Sequence, residues 1–167
     1  FSLIFASKFT LREVTIWSLS RFSFSTSILK EKFVLPLKSS SDFNNVIEKS
    51  LTNGIKNICV TGCDLEDSRK AIEIAKLFPK NLITTCGIHP HYANSFNENS
   101  SSEIISICKN SLVKAIGETG LDFNRNFSKK EKQIQSFLNH IEIVNSLNLP
   151  MFLHQRDAHE SFMNCLE

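Results

Sequence analysis

A chain of 167 residues is long enough for one domain with a sizeable core, and 41% hydrophobic against 22% charged residues is a soluble globular balance. The formal net charge of +2 supplies no overall basic field of the kind that advertises nucleic-acid binding. Five cysteines, an odd number with no CxxC pair and no disulfide-framework spacing, favour a reducing compartment.

Charge is uneven along the chain, with six Lys/Arg against two Asp/Glu in residues 1–41. The opening stretch FSLIFASKFTLREVTIWSLSRFSFSTSILK is rich in Phe, Ser and basic residues and holds no apolar run long enough to span a membrane. Three readings stand level for residues 1–40: a transit-like or poorly ordered leader, a divergent or mistranslated start, or a weak strand followed by a loop. Ser39, Ser40 and Ser41 make a flexible joint into the second segment, residues 41–167.

From Ser41 the pattern becomes regular. Phe43, Val46, Ile47 and Leu51 form a helical stripe with Ser41 as N-cap and Gly54 at the stop. Ile55 to Val60 predicts a strand that Thr61 and Gly62 turn, and Asp64 caps a helix ending at Pro79. Cys59 and Cys63 lack a second ligand pair, so they read as small buried hydrophobes and not as a zinc site. Leu82 to Cys86 is the next strand and runs into GIHPHYA; Ser100 with Glu103 boxes a helix through Cys108. Leu112 to Ile116 is a third strand, after which Gly117 turns the chain into a polar loop carrying Glu118, Asp122, Asn124 and Arg125. Ser128 with Glu131 forms a capping box for a helix over Lys129 to Leu147, with Ile134, Phe137, Leu138, Ile141, Val144 and Leu147 on one face. Pro150 to His154 is the last strand, followed by Arg156, Asp157 and an amphipathic end holding Phe162, Met163 and Leu166, with Asp157 as N-cap and Glu160 after it.

Strands alternating with helices predict right-handed βαβ units and a parallel sheet. Three consecutive strands end in ligand-type side chains: His89 and His91, then Glu118 and Asp122, then His154, Arg156 and Asp157. Open sheets gather ligands at a switch point, whereas every strand of a barrel points its C-terminal end at one mouth. The fold class is therefore α/β, a partial (β/α)8 TIM barrel of four to five units, since a whole barrel takes roughly 250 residues.

Glu118 offers carboxylate oxygen and His154 imidazole nitrogen, a mixed set that suits Zn, Mn or Mg. A carboxylate at a strand end is a natural bridge between two ions, and two ions can activate water and stabilise both oxygens of a phosphoryl displacement. Arg125 and Arg156 carry forked cations that match phosphate, and Asn124 can donate beside them. Each residue also has a plainer role open to it, as loop hydrogen-bonder, cap or surface ion pair.

TCGIHPH, AIGETGLDFNRNFS and LPMFLHQRDAHESF, in this order and spacing, resemble the TatD family of metal-dependent deoxyribonucleases. The resemblance covers roughly residues 42–167 and leaves out the first forty. It implies a (β/α)8 metallohydrolase related to the amidohydrolases, acting on DNA phosphodiester bonds, often as a 3′–5′ exonuclease on single strands or 3′ ends. It further implies divalent cations (Mg, Mn or Zn), two in the complete fold. By resemblance Glu118 is the metal-bridging carboxylate and His154 a metal-binding histidine, both catalytic, while His89 contacts phosphate. Asn124, Arg125 and Arg156 fall in matching motif positions on the phosphate side. Nothing in residues 1–41 matches the family's opening His-x-His or Asp-centred strand, and the later His and Asp of the family have no counterpart here. The expectation is therefore an incomplete, inactive form of such a nuclease, cytoplasmic or nuclear, or mitochondrial if the leader is a transit peptide. Two alternatives remain open: a non-catalytic nucleic-acid-binding or interaction fragment, and a metal-dependent amide or ester hydrolase.

Overall fold

The computed structural model describes residues 2–6, 15–17 and 40–167. Its centre is a ladder of four parallel strands, β3 (Ile58–Val60), β4 (Leu82–Cys86), β5 (Val113–Asp122) and β6 (Met151–Arg156), preceded by β1 (Ser2–Ala6) and β2 (Thr15–Trp17). The sheet order is β2-β1-β6-β5-β4-β3. Helices α1 (Ser40–Thr52), α2 (Leu65–Ala75), α3 (Ser100–Cys108), α4 (Lys130–Leu147) and α5 (His159–Leu166) alternate with the parallel strands. Helical crossovers return each strand beside its predecessor in the same direction. The parallel strands curl into half of a barrel, as the three ligand-bearing strand ends led us to expect. The first segment contributes β1, which runs antiparallel along β6 from Ser2 opposite Gln155 to Ala6 opposite Met151.

Three apolar clusters fix the helices to the sheet. Phe43 and Ile47 of α1 meet Ala75 and Leu82; Ile72, Ile104 and Ile143 meet Cys86, Val113 and Ile116; Phe137 and Phe162 meet Leu121, Met151 and Leu153. Phe137 and Phe162 stack with centroids 5.0 Å apart, which ties α4 to α5 over β5 and β6. The buried threonines of β4 are satisfied by the neighbouring strand: Thr84 Oγ1 donates to the Val60 carbonyl at 2.7 Å, and Thr85 Oγ1 accepts from the Gly62 N–H at 3.2 Å.

Several local expectations are corrected. Asp64 caps α2 as anticipated, accepting from the Asp67 N–H at 2.8 Å, but the helix ends at Ala75 and a turn carries the chain past Pro79. Ser41 lies inside α1, one residue after its start, and the proposed joint at Ser39 falls outside the described residues. Ser100 and Ser128 do not cap: Asn99 and Lys129 occupy the cap positions, and both serines serve loops instead. Ser100 Oγ accepts from the Asn97 N–H at 2.9 Å, and Glu103 pairs with Arg69 of α2. Cys59 is exposed and Cys63 half-buried, so neither is the buried hydrophobe expected. Leu138 is 39% exposed on α4, whose buried stripe runs instead through Gln133, Ser136, Phe137, His140 and Ile143.

Candidate metal centre

The site forms where β4, β5 and β6 end together. After Cys86 the chain passes Gly87 and Ile88 into His89, which caps a short 3-10 helix, Pro90–Ser95. Proline at the first position of that helix is favoured, since its missing N–H would be unpartnered anyway. His89 Nδ1 accepts from the His91 N–H at 3.1 Å, and the His89 N–H donates to the Cys63 carbonyl at 2.9 Å. With Nδ1 accepting, the proton of a neutral His89 sits on Nε2, which points toward Glu118 Oε1 3.7 Å away.

β5 departs from the sequence expectation. Gly117 does not turn the chain out of the sheet; pairing continues to Asp122 opposite Arg156. The register slips by one between Gly117 and Thr119, which face Phe152 and Leu153, so Glu118 is the extra residue of a bulge. Bulges re-aim side chains, and this one delivers the carboxylate to the mouth while the strand keeps its ladder. Gly117 and Gly120 both have φ of +135°, and a β-carbon there would collide with the carbonyls of Phe152 and His154 respectively. Glycine at both positions lets β5 and β6 approach closely behind the site.

Glu118, His154 and His89 come together, each with a ligand-type atom within 4.8 Å of the others. His154 Nδ1 lies 3.1 Å from Glu118 Oε1, and its Nε2 lies 3.2 Å from Asp122 Oδ2. The same Asp122 oxygen receives His91 Nε2 at 2.8 Å, while Oδ1 accepts from the backbone N–H groups of Asn124 and Arg125. Burial pushes the fully buried Asp122 carboxyl up, but the hydrogen bonds from His91, Arg125 and Asn124 and the charge of His154 outweigh it and hold it down at about 2. Asp122 is therefore a permanent carboxylate, and it favours a proton on the His154 Nε2 that faces it.

Two buried polar residues of α4, neither anticipated, hold these strand ends. Gln133 Oε1 accepts from the Asp122 N–H at 2.8 Å, and its Nε2 donates to the carbonyls of Asp122 at 3.1 Å and Ser128 at 2.9 Å. His140 Nε2 accepts from the Ile88 N–H at 3.0 Å, and its Nδ1 donates to the Ser136 carbonyl at 2.6 Å. Burial drives the His140 imidazole down to about 4, with the Ser136 carbonyl opposing weakly, so it is neutral. A signal for both exists in the sequence: Gln133 and His140 are seven apart, in helical register with Leu147 and the apolar stripe.

The remaining expected residues lie farther out. Asn124 is exposed and its Nδ2 donates to Asp157 Oδ2 at 2.8 Å, so Asp157 receives a side chain where it was expected to cap. Gln155, with its amide oriented to satisfy its neighbours, accepts from the N–H groups of Ala158 and His159 at the start of α5 in its place. Arg125 is exposed, and Arg156 is half-buried with its carbonyl accepting from the Phe123 N–H at 2.9 Å.

The family model for TatD related DNase matches residues 32–167. The chain belongs to the TatD-related DNase family. The match begins ten residues ahead of the stretch recognisable by motif and so takes in the region leading to α1. The 3′-5′ ssDNA/RNA exonuclease TatD of Escherichia coli (strain K12) is 38% identical over 128 residues, 77% of this chain and 49% of that protein. The protein of the same name from Escherichia fergusonii is 37% identical over the same shares. Among solved structures, a TatD family hydrolase from Entamoeba histolytica superposes with a TM-score of 0.69 at 31% identity, over 75% of this chain and 45% of that one. This chain spans about half the length of the curated TatD relatives it matches. No helix among the described residues is long and apolar enough to cross a membrane.

Proposed function

We propose that the chain carries part of the centre of a TatD-type nuclease: a divalent-cation and phosphate site for hydrolysing phosphodiester bonds of single-stranded nucleic acid at 3′ ends. The observation that carries this reading is the 3.1 Å gap between His154 Nδ1 and Glu118 Oε1. In a neutral His154 with its proton on Nε2 beside Asp122, Nδ1 and Glu118 Oε1 both offer lone pairs to a cation. Two ligands each about 2.0–2.2 Å from one cation sit roughly 3 Å from each other. Glu118 and His154 thus have the donor chemistry and spacing for Mg, Mn or Zn, and a carboxylate has a second oxygen for a second ion. His89 does not fit as a ligand in its present tautomer, since Nε2 carries the proton; it is placed to donate that proton in a hydrogen bond to a phosphate oxygen.

A divalent ion, when bound, neutralises phosphate charge and makes a water easier to deprotonate. What the chain itself does is orient. Asp122 holds His154, the bulge aims Glu118, and the Cys63 carbonyl and Ile88 tether set His89 at the mouth. Arg125 and Arg156 add forked cations on the loop side, where they favour a phosphate over a neutral amide substrate, and Asn124 stands beside them. A catalytic zinc of this kind takes three protein ligands plus water. With two such donors among the described residues, we infer binding of the ion without efficient turnover by this chain, in an aqueous compartment such as cytoplasm, nucleus or mitochondrial matrix.

The test is calorimetric titration with Mn2+, alongside release of nucleotides from a single-stranded DNA oligonucleotide. Glu118→Gln and His154→Ala are each expected to weaken Mn2+ binding at least tenfold, with nucleotide release at background for all forms. Unchanged Mn2+ affinity in both variants overturns the site; rapid release that survives Glu118→Gln overturns the chemistry.

A further inference from the structure

We infer that Phe127 is a stacking platform for a nucleobase of the single strand whose phosphate enters the His89–Glu118–His154 cluster. This deepens the nuclease reading and rests on it. Among the described residues, the exposed large apolar side chains are Leu77, Tyr92, Phe127 and Leu138. Isolated exposed leucines are ordinary on any surface. The two aromatics differ in their placement, since Tyr92 adjoins His91 in sequence and Phe127 touches its ring.

The rings form a connected run leading out of the site, bent at His89, since the His91 and His154 centroids are 6.3 Å apart. His154 and His89 have centroids 4.6 Å apart, His89 and His91 4.3 Å, and His91 and Phe127 4.9 Å. Phe127 is the outer, exposed end of that run. It meets His91 nearly perpendicularly, at 89°, and is 62% exposed, so a ring face remains open to water.

Its backbone is held in place although its side chain is not covered. The next residue, Ser128, is buried; its Oγ donates to the His91 carbonyl at 2.9 Å and accepts from the Asn94 N–H at 3.1 Å, and its own carbonyl is taken by Gln133. Asn126 before it sits in a left-handed turn with φ of 49°, its Nδ2 donating to the Phe123 carbonyl at 3.1 Å. A ring with few rotors on an anchored backbone loses little freedom when something stacks on it. Every base offers a π-face, so such a platform binds a single strand with little sequence preference, and a paired, stacked duplex offers it nothing. The exposed Arg125, two residues away, supplies the cation that a neighbouring phosphate needs.

The test compares two short single-stranded oligonucleotides of equal length, one of thymidine and one abasic, both with hydrolysis-resistant phosphorothioate linkages and with Ca2+ present. Fluorescence anisotropy gives the ratio of their dissociation constants. The unsubstituted chain is expected to bind the thymidine strand about tenfold more tightly than the abasic one. Phe127→Ala and Phe127→Leu each bring that ratio close to one by weakening only the thymidine strand. Phe127→Trp keeps the ratio, and its fluorescence is quenched by the thymidine strand but not by the abasic one. Variants that retain the original ratio overturn the platform and leave the nuclease reading standing. Failure of the unsubstituted chain to bind either strand overturns both.

Discussion

His140 makes the stability of the site end of the fold depend on pH. Its two nitrogens are fully used by a neutral ring, Nδ1–H donating to the Ser136 carbonyl and Nε2 accepting from the Ile88 N–H. A second proton on Nε2 would face an N–H with an N–H, inside a site that is 0% exposed. The folded-state value of about 4 lies below the ordinary 6.5, so between these limits the unfolded chain binds more protons and acid favours unfolding. The stabilising effect of the neutral ring is whole above about 6.5, is lost progressively toward 4, and falls no further from this group below that. At 1.36 kcal/mol per pH unit the full loss is roughly 3 kcal/mol, a large part of a typical 5–15 kcal/mol stability. Urea unfolding of the unsubstituted chain and His140→Gln at intervals from pH 7.5 to 4.5 isolates the effect, because other titrating groups cancel in the difference. The variant is expected to be about 1–3 kcal/mol less stable at pH 7.5, with the Ile88 N–H poorly served, and the gap should close by pH 4.5. A gap that stays constant across this range would refute the neutral-tether account.

Three further outcomes are expected. Gly120→Ala brings a methyl against the His154 carbonyl at a backbone φ of +135°; a loss of about 3 kcal/mol, or insoluble expression, is expected from overpacking and strain together, and urea melts measure it. Gln133→Leu strands the Asp122 N–H and the Asp122 and Ser128 carbonyls in the interior; denaturation should show about 2–4 kcal/mol lost, more than for the exposed Gln135→Leu. Asp122→Asn keeps the shape but not the charge that favours the Nε2 proton of His154, and calorimetry should find Mn2+ affinity lower by roughly 10–100-fold with the fold intact.

Much of this architecture is legible in the chain because period and punctuation agree. The Asp64 cap, the apolar core of β4 and the stripe around Phe137 and Val144 follow from side-chain spacing alone. What resists reading is whatever depends on a partner distant in sequence. Gly117 looks like a turn residue, yet it and Gly120 serve contact with β6 and keep β5 running to Asp122. Ser128 and Ser100 have the spacing of capping boxes, but their hydroxyls are taken by the segments around His91 and Asn97. Gln133 and His140 stand on a buried helical face where polar residues ordinarily lower expectations, and their value appears only once the strand ends they serve are beside them. Leu138 shows the reverse, an apolar residue on the edge of the stripe that stays 39% exposed. The pairing of Glu118 with His154 was foreseeable because they belong to neighbouring strands of the same parallel ladder; the bulge that aims Glu118 was not.

One atom, Asp122 Oδ2, is shared by His91 from the 3-10 helix and His154 from β6. That sharing makes the carboxylate a hinge-pin between a peripheral loop and an interior strand. Whatever leans on the outer imidazole tugs the same oxygen that steadies the inner one, so contact at the rim reaches the His154 ring without any helix shifting.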